Sequence, residues 1–248
     1  MGITEEQRAA VLERVNRPRW RAWRAVVEWA KSFQIAILLA LFVKAFLVDT
    51  FKIPTGSMEH TILVGDFLLV NKLAYGAEVP FTGKRLPAMR APKRGEVIVF
   101  LYPEDPTKNY VKRLVGLPGD TVAMRAGQLV VNGRQEHGDY IEHTMPWDDR
   151  GSEEFQWQRP FLALDSAAAR RYRPTRDNWG PLVVPPGNMF VLGDNRDNSS
   201  DSRYWGFVAD SLLRGAPLFV YYSYQPDSTQ PLAWLTSIRW GRLGERIE

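Results

Sequence analysis

Ser57 stands between Gly56 and Met58, with Pro54 and Thr55 just before it. A glycine at such a place permits close backbone approach, and exposed amides nearby can form an oxyanion hole. The serine hydroxyl still needs a base to become a nucleophile. His60 is near, but three residues of turn or extended chain do not by themselves aim an imidazole at Oγ. A lysine can serve when burial strips its hydration, depresses its pKa and leaves a neutral amine to take the proton. Lys112 is the candidate, because it lies within the apolar alternation Tyr110-Val111-Lys112-Arg113-Leu114-Val115. Of the neighbours Lys112 and Arg113, one is expected to face in and the other out.

Other chemistries find little support. The histidines, His60, His137 and His143, form no HExxH arrangement, and no His/Asp/Glu cluster has metal-ligand spacing. There is no Walker A loop, dinucleotide fingerprint or GxSxG elbow. The chain has no cysteine, which excludes disulfides, thiolate chemistry and Cys-based zinc sites. Neither metal nor cofactor is expected. Net charge is +4 without a concentrated Lys/Arg stripe, so nucleic acid is not an expected partner. The run Gly193 to Gly206, GDNRDNSSDSRYWG, would be costly as core and reads as a hydrogen-bonded turn network. Its acidic spacing approaches a calcium loop but lacks the central glycine and the terminal glutamate.

The elements that must hold these residues are mainly strands. Phe67 to Val70, Glu96 to Tyr102, Tyr110 to Leu117, Met189 to Leu192 and Ala216 to Tyr224 carry strand pattern. Pro118-Gly119-Asp120 ends one of them, and Asn132-Gly133 after Leu129-Val130-Val131 predicts a type I′ hairpin turn. Residues 136–186 are polar, aromatic and punctuated, and read as a small cap or insertion. Within them Arg170-Arg171-Tyr172-Arg173 is expected to be a solvated face. In the tail, Leu232, Trp234, Leu235 and Ile238 have rough helical spacing, which predicts a short amphipathic helix.

Ahead of the strands, VVEWAKSFQIAILLALFVKAFLV runs from Val26 to Val48. As a helix it would reach about 34 Å, enough for a bilayer core of ~30 Å. Arg14, Arg17, Arg19, Arg21, Arg24 and Lys31 precede the apolar core, so the positive-inside rule puts the N-terminus in the cytoplasm. No small-x-small site follows, so a retained anchor is expected rather than a cleaved signal peptide. The expected organisation is a basic cytoplasmic stretch at 1–25, an anchor at 26–48 and an extracytoplasmic domain at 49–248. Only about nine residues then separate the anchor from Ser57, which at ~3.3 Å each keeps the serine close to the bilayer.

These blocks together resemble the bacterial type I signal peptidases, or leader peptidases. The resemblance rests on GSM at Gly56 to Met58, GDFLLVNKLAYG at Gly65 to Gly76, RGEVIVF at Arg94 to Phe100, YVKRLVGLPGD at Tyr110 to Asp120, and GDNRDNSSDSRYWG. It implies a mainly β fold: a coiled antiparallel β-sheet catalytic domain with a small inserted cap, behind one N-terminal transmembrane helix. It also implies a Ser57 nucleophile with Lys112 as general base, and cleavage of signal peptides after Ala-x-Ala-type small residues. Thr55 then joins the Ser57 amide in the oxyanion hole, Ser199 orients the base, and Asp201 with Arg203 forms a structural ion pair. Asp194 and Arg196 build the turn. Where the family usually has Met-x-Pro-Thr, this chain has Met58-Glu59-His60-Thr61. The implied partners are preproteins bearing signal peptides and membrane lipid, with the export machinery a candidate. The implied place is the bacterial inner membrane, crossed once.

Two rival readings make different expectations. A related self-cleaving Ser-Lys repressor would need a DNA-binding head, where this chain has a basic stretch and an apolar segment. A non-catalytic, anchored β-rich binding or assembly protein would keep Ser57 and Lys112 far apart.

Overall fold

The uncharged run from Ser32 to Val43 belongs to one long helix. The computed structural model describes residues 4–16, 18–80, 82–145, 147–226 and 229–247, so Arg17 of the basic flank lies outside the described residues. The chain divides into two units, Met1–Ala45 and Phe46–Glu248. The first holds helices α1 (Glu5–Asn16) and α2 (Pro18–Phe42). Proline suits the start of α2, where its missing N–H has no partner to lose. The segment Trp20–Leu47 is the one described helix long and apolar enough to cross a membrane, and no residue of its apolar 18-residue window is buried. Helix therefore begins well before the expected Val26. Val48, expected as the end of the anchor, instead opens the first strand.

The second unit is built on antiparallel strands. Its larger sheet contains β1 (Val48–Lys52), β2 (Asp66–Asn71), β3 (Val97–Tyr102), β4 (Asp105–Gly116), β9 (Asn188–Leu192), β10 (Val208–Ala209) and β11 (Leu213–Ser223). They lie in the order β1-β2-β11-β3-β4-β9-β10. The smaller sheet runs β7-β6-β5-β8, from β5 (Thr121–Arg125), β6 (Gln128–Val131), β7 (Arg134–Gln135) and β8 (Trp179–Val183). Asn132 and Gly133, at φ +51° and +76°, join β6 to β7 with the positive angles that a type I′ turn requires. Val115, Val122, Leu129, Trp179, Leu182 and Phe190 form one core cluster, shared by strands of both sheets. The region expected as a cap at 136–186 is thus folded together with strands that precede it.

Two surface expectations are corrected. In the basic run, Arg170, Arg171 and Arg173 are exposed, but Tyr172 is buried, and its hydroxyl accepts from the Gly180 amide at 2.7 Å. An aromatic ring can fill core space that the flanking arginines cannot. The tail makes two short helical turns, α5 (Ala233–Thr236) and a 3-10 turn at Trp240–Arg242, with Ala233 buried and Leu232, Trp234 and Leu235 exposed. The apolar spacing there does not correspond to a face packed on the sheet.

Candidate active site

The turn carrying Ser57 is tied down at both ends. The Ile53 amide donates to the Asp66 carbonyl and the Gly65 amide returns to the Ile53 carbonyl, each at 2.9 Å. Met58 and Ile62 sink into a cluster with Leu68, Val70, Val97, Val99 and Val220, which fixes the loop from below. The Asn195 amide donates to the Ser57 carbonyl at 3.2 Å, tying the turn to the polar run after β9. No described group accepts from the Ser57 amide, which remains available to an oxyanion.

Strand β4 brings Lys112 to this turn from 55 positions away, and Lys112 Nζ donates to Ser57 Oγ at 2.6 Å. The lysine is 4% exposed and forms no ion pair with a carboxylate among the described residues. Burial lowers its pKa to about 8; Arg203 pushes the same way, while Asp201 and Asp194 partly oppose. A buried amine near this pKa has a neutral fraction at physiological pH, as a base must.

The carboxylates near the lysine are held by arginines. Asp201 takes two bonds from Arg203 at 2.8 Å and one from the Gly193 amide at 3.1 Å. Burial raises the Asp201 pKa, but the charge and hydrogen bonds of Arg203, with help from the Gly193 amide and Ser199, hold it below the usual carboxylate range. Asp194 takes two bonds from Arg113 at 2.7 Å and one from the Thr61 hydroxyl at 2.6 Å. Arg113 was expected outside if Lys112 lay inside; instead both are buried. Alternation still puts them on opposite faces, but structure covers each face here, and Arg113 lies against the Tyr140 ring at 3.8 Å.

A model of the family described as "Signal peptidase, peptidase S26" matches residues 26–222. The chain belongs to that family. Among its relatives, the signal peptidase I of Pseudomonas fluorescens is 38% identical over 237 residues, covering 90% of this chain and 80% of that protein. That of Pseudomonas aeruginosa is 38% identical over 245 residues, with 91% and 81% covered. That of Aquifex aeolicus is 31% identical over 252 residues, with 86% and 92% covered. A solved signal peptidase I from Enterococcus faecalis is 32% identical, with 52% of this chain and 98% of that chain covered and a TM-score of 0.35.

The other residues singled out for this signal peptidase fold stand as follows. Thr55 is exposed and, with Ser57, Lys112, Ile53 and Met58, lines a groove of about 420 Å3. Ser199 is buried, helps to hold the Asp201 pKa down, and makes no hydrogen bond to Lys112 among the described residues. His60 is exposed and makes no hydrogen bond to Ser57 among the described residues; its φ of +84° is in the left-handed region. Proline, locked near −65°, cannot take that angle, so this turn differs from any built on Met-x-Pro-Thr. Sequence reasoning missed Thr61 and Gly193. A Cβ on Gly193 would overlap both the Ser57 carbonyl and the Ser199 hydroxyl, a close approach that the bare Gly-Asp dipeptide signals only weakly.

Proposed function

We propose that this chain is a membrane-anchored serine endopeptidase that removes signal peptides from exported preproteins, using Ser57 as nucleophile and Lys112 as general base. The observation carrying this reading is the 2.6 Å contact between a buried, carboxylate-free lysine and the serine hydroxyl. It also counts against a non-catalytic binding protein, which has no need of that contact.

Neutral Lys112 takes the Ser57 proton as Oγ attacks the scissile carbonyl. The oxyanion is held by the Ser57 amide and the Thr55 hydroxyl, donors of a kind worth ~3–4 kcal/mol each. The carbon–nitrogen bond then breaks, and the departing amine of the mature protein receives the proton from Lys112. Lysine next deprotonates a water, which attacks the acyl carbon and returns Ser57 to the hydroxyl form. Asp201, Arg203 and Ser199 support the lysine from behind, and Ser199 does so through Asp201.

The free part of β4 suits an extended substrate. Asn109 to Lys112 pair with β3 on one side, whereas β9 joins the other side only from Arg113 onward. Unpaired backbone along that edge, facing residues 53–58 across the groove, can accept a peptide as an added strand. Small residues such as Ala-x-Ala at the first and third positions before the scissile bond would let it approach Ser57. The apolar stretch 26–48, carried largely by the helix over Trp20–Leu47, serves as a single-pass anchor in the inner membrane, with the 1–25 stretch cytoplasmic and the 49–248 domain on the far side, in contact with lipid and within reach of the export machinery.

The test is incubation of the detergent-solubilised chain with a preprotein bearing an Ala-x-Ala site. The wild-type protein is expected to release the mature product, and Ser57→Ala and Lys112→Ala to release none while keeping a native circular dichroism spectrum. Near-normal turnover by a folded Lys112→Ala protein would reject the dyad.

A further inference from the structure

A second cleft, of about 670 Å3, adjoins the reactive groove and shares Asn198 and Ser200 with it. The partition is aromatic: Tyr102, on the cleft side, stacks on Tyr110, on the groove side, with ring centroids 4.4 Å apart and planes 7° apart. Trp157, Tyr204 and Trp205 supply further ring surface. Three carboxylates reach the cleft, from Glu104, Glu154 and Asp197, and no lysine or arginine lines it among the described residues. Asp197 is already engaged, by Arg176 at 3.3 Å, His143 at 3.0 Å and the Met145 amide at 2.7 Å. Glu104 and Glu154 are exposed and, among the described residues, their side chains hydrogen-bond only to the hydroxyls of Tyr102 and Ser152, with no ion pair to offset their charge in the cleft. Burial above all, and with it the hydrogen bond to Glu104 and the charges of Glu104, Tyr110 and Glu154, raises the Tyr102 pKa.

We propose that this cleft is a subsite for a cationic side chain, lysine or arginine, carried by the substrate polypeptide close to the scissile bond. The inference rests on the endopeptidase reading, because the occupant is the same chain that threads the reactive groove. Continuity through Asn198 and Ser200 lets a residue just outside the groove turn its side chain past Tyr110. There the ammonium or guanidinium head meets Glu104 and Glu154, and the aromatic faces attract it further. A carboxylate in the substrate would be repelled at the same place.

The experiment uses the full chain in detergent and a set of cleavable peptides. In each, one residue from three before to five after the scissile bond is lysine, or glutamine at the same position. At one or two positions the wild-type kcat/KM for the lysine peptide is expected to exceed that for glutamine by about fivefold. The ratio is expected to fall towards one in E104Q/E154Q and in 0.5 M salt, and E104K to favour a glutamate peptide instead. Because a ratio within one protein is read, general loss of folding or turnover does not imitate the result. A lysine-to-glutamine ratio that is flat along the scan, or unaltered in E104Q/E154Q, overturns the subsite. Peptide binding to Ser57→Ala, followed by tryptophan fluorescence, separates the two readings. If no peptide is cleaved but the lysine peptide still binds more tightly through Glu104 and Glu154, the endopeptidase reading fails and the cleft stands. Equal binding of both peptides there rejects the cleft on its own.

Discussion

Lys112 links the pH of the medium to the proposed chemistry. Burial holds its pKa at about 8 rather than 10.5, and only the neutral amine can accept the Ser57 proton. kcat/KM for a peptide substrate is therefore expected to rise with pH and level off above about 8. Lys112→Arg, which stays charged, is expected to be inactive at every pH; a wild-type profile flat from pH 6 to 9 would remove lysine as the base. His60 answers a different question. Its φ of +84° costs a non-glycine residue on the order of 1 kcal/mol, whereas proline cannot reach it at all. His60→Gly is expected to keep activity and melting temperature, and His60→Pro to lower both, as thermal melts and turnover would register. At this scale the proposed nucleophile and base were legible, because a serine beside glycine and a lysine inside an apolar alternation are both unusual. The φ of His60 was not, since no local residue type demanded it.

Strand β4 does two things with neighbouring residues. Lys112 on one face meets Ser57, and Arg113 on the other locks Asp194, which in turn holds Thr61 of the nucleophile loop. The segment after β9 closes the arrangement through Gly193, which has no side chain to keep it from the Ser57 carbonyl. Gly193→Ala is therefore expected to push the Ser57 turn out of line. Turnover should fall by well over tenfold while the protein remains folded, since small displacements at a reacting atom are that costly. Wild-type kcat in folded Gly193→Ala would show that the contact does not position the nucleophile. The strands themselves were legible from β-branched and aromatic runs, and the β6–β7 turn from Asn132-Gly133. Burial of Arg113 was not, because alternation gives the face of a residue but not what covers that face. The short helix at Ala233–Thr236 was legible from the apolar spacing, but which surface its apolar residues meet was not, since spacing does not show whether a helix buries them.

For the whole molecule, the break at Ala45 and Phe46 separates an apolar helical unit from one that has its own sheets and core. The long helix was legible because Ser32 to Val43 carries no charge, though its start at Pro18 was not, since arginine and tryptophan extend a helix as readily as they flank a membrane. Orientation follows from a different property. Arg14, Arg17, Arg19, Arg21, Arg24 and Lys31 crowd the side before the apolar core, and moving such charges across a bilayer is unfavourable. On the proposed orientation the side that follows the helix is the translocated one, where exported chains emerge. In sealed inverted membrane vesicles, protease added outside is expected to trim the N-terminal stretch and leave the fragment from the helix to the C-terminus intact. Detergent should then expose that fragment to digestion. Digestion of the catalytic unit in vesicles that remain sealed would reverse the orientation, and with it the access of Ser57 to translocated substrates.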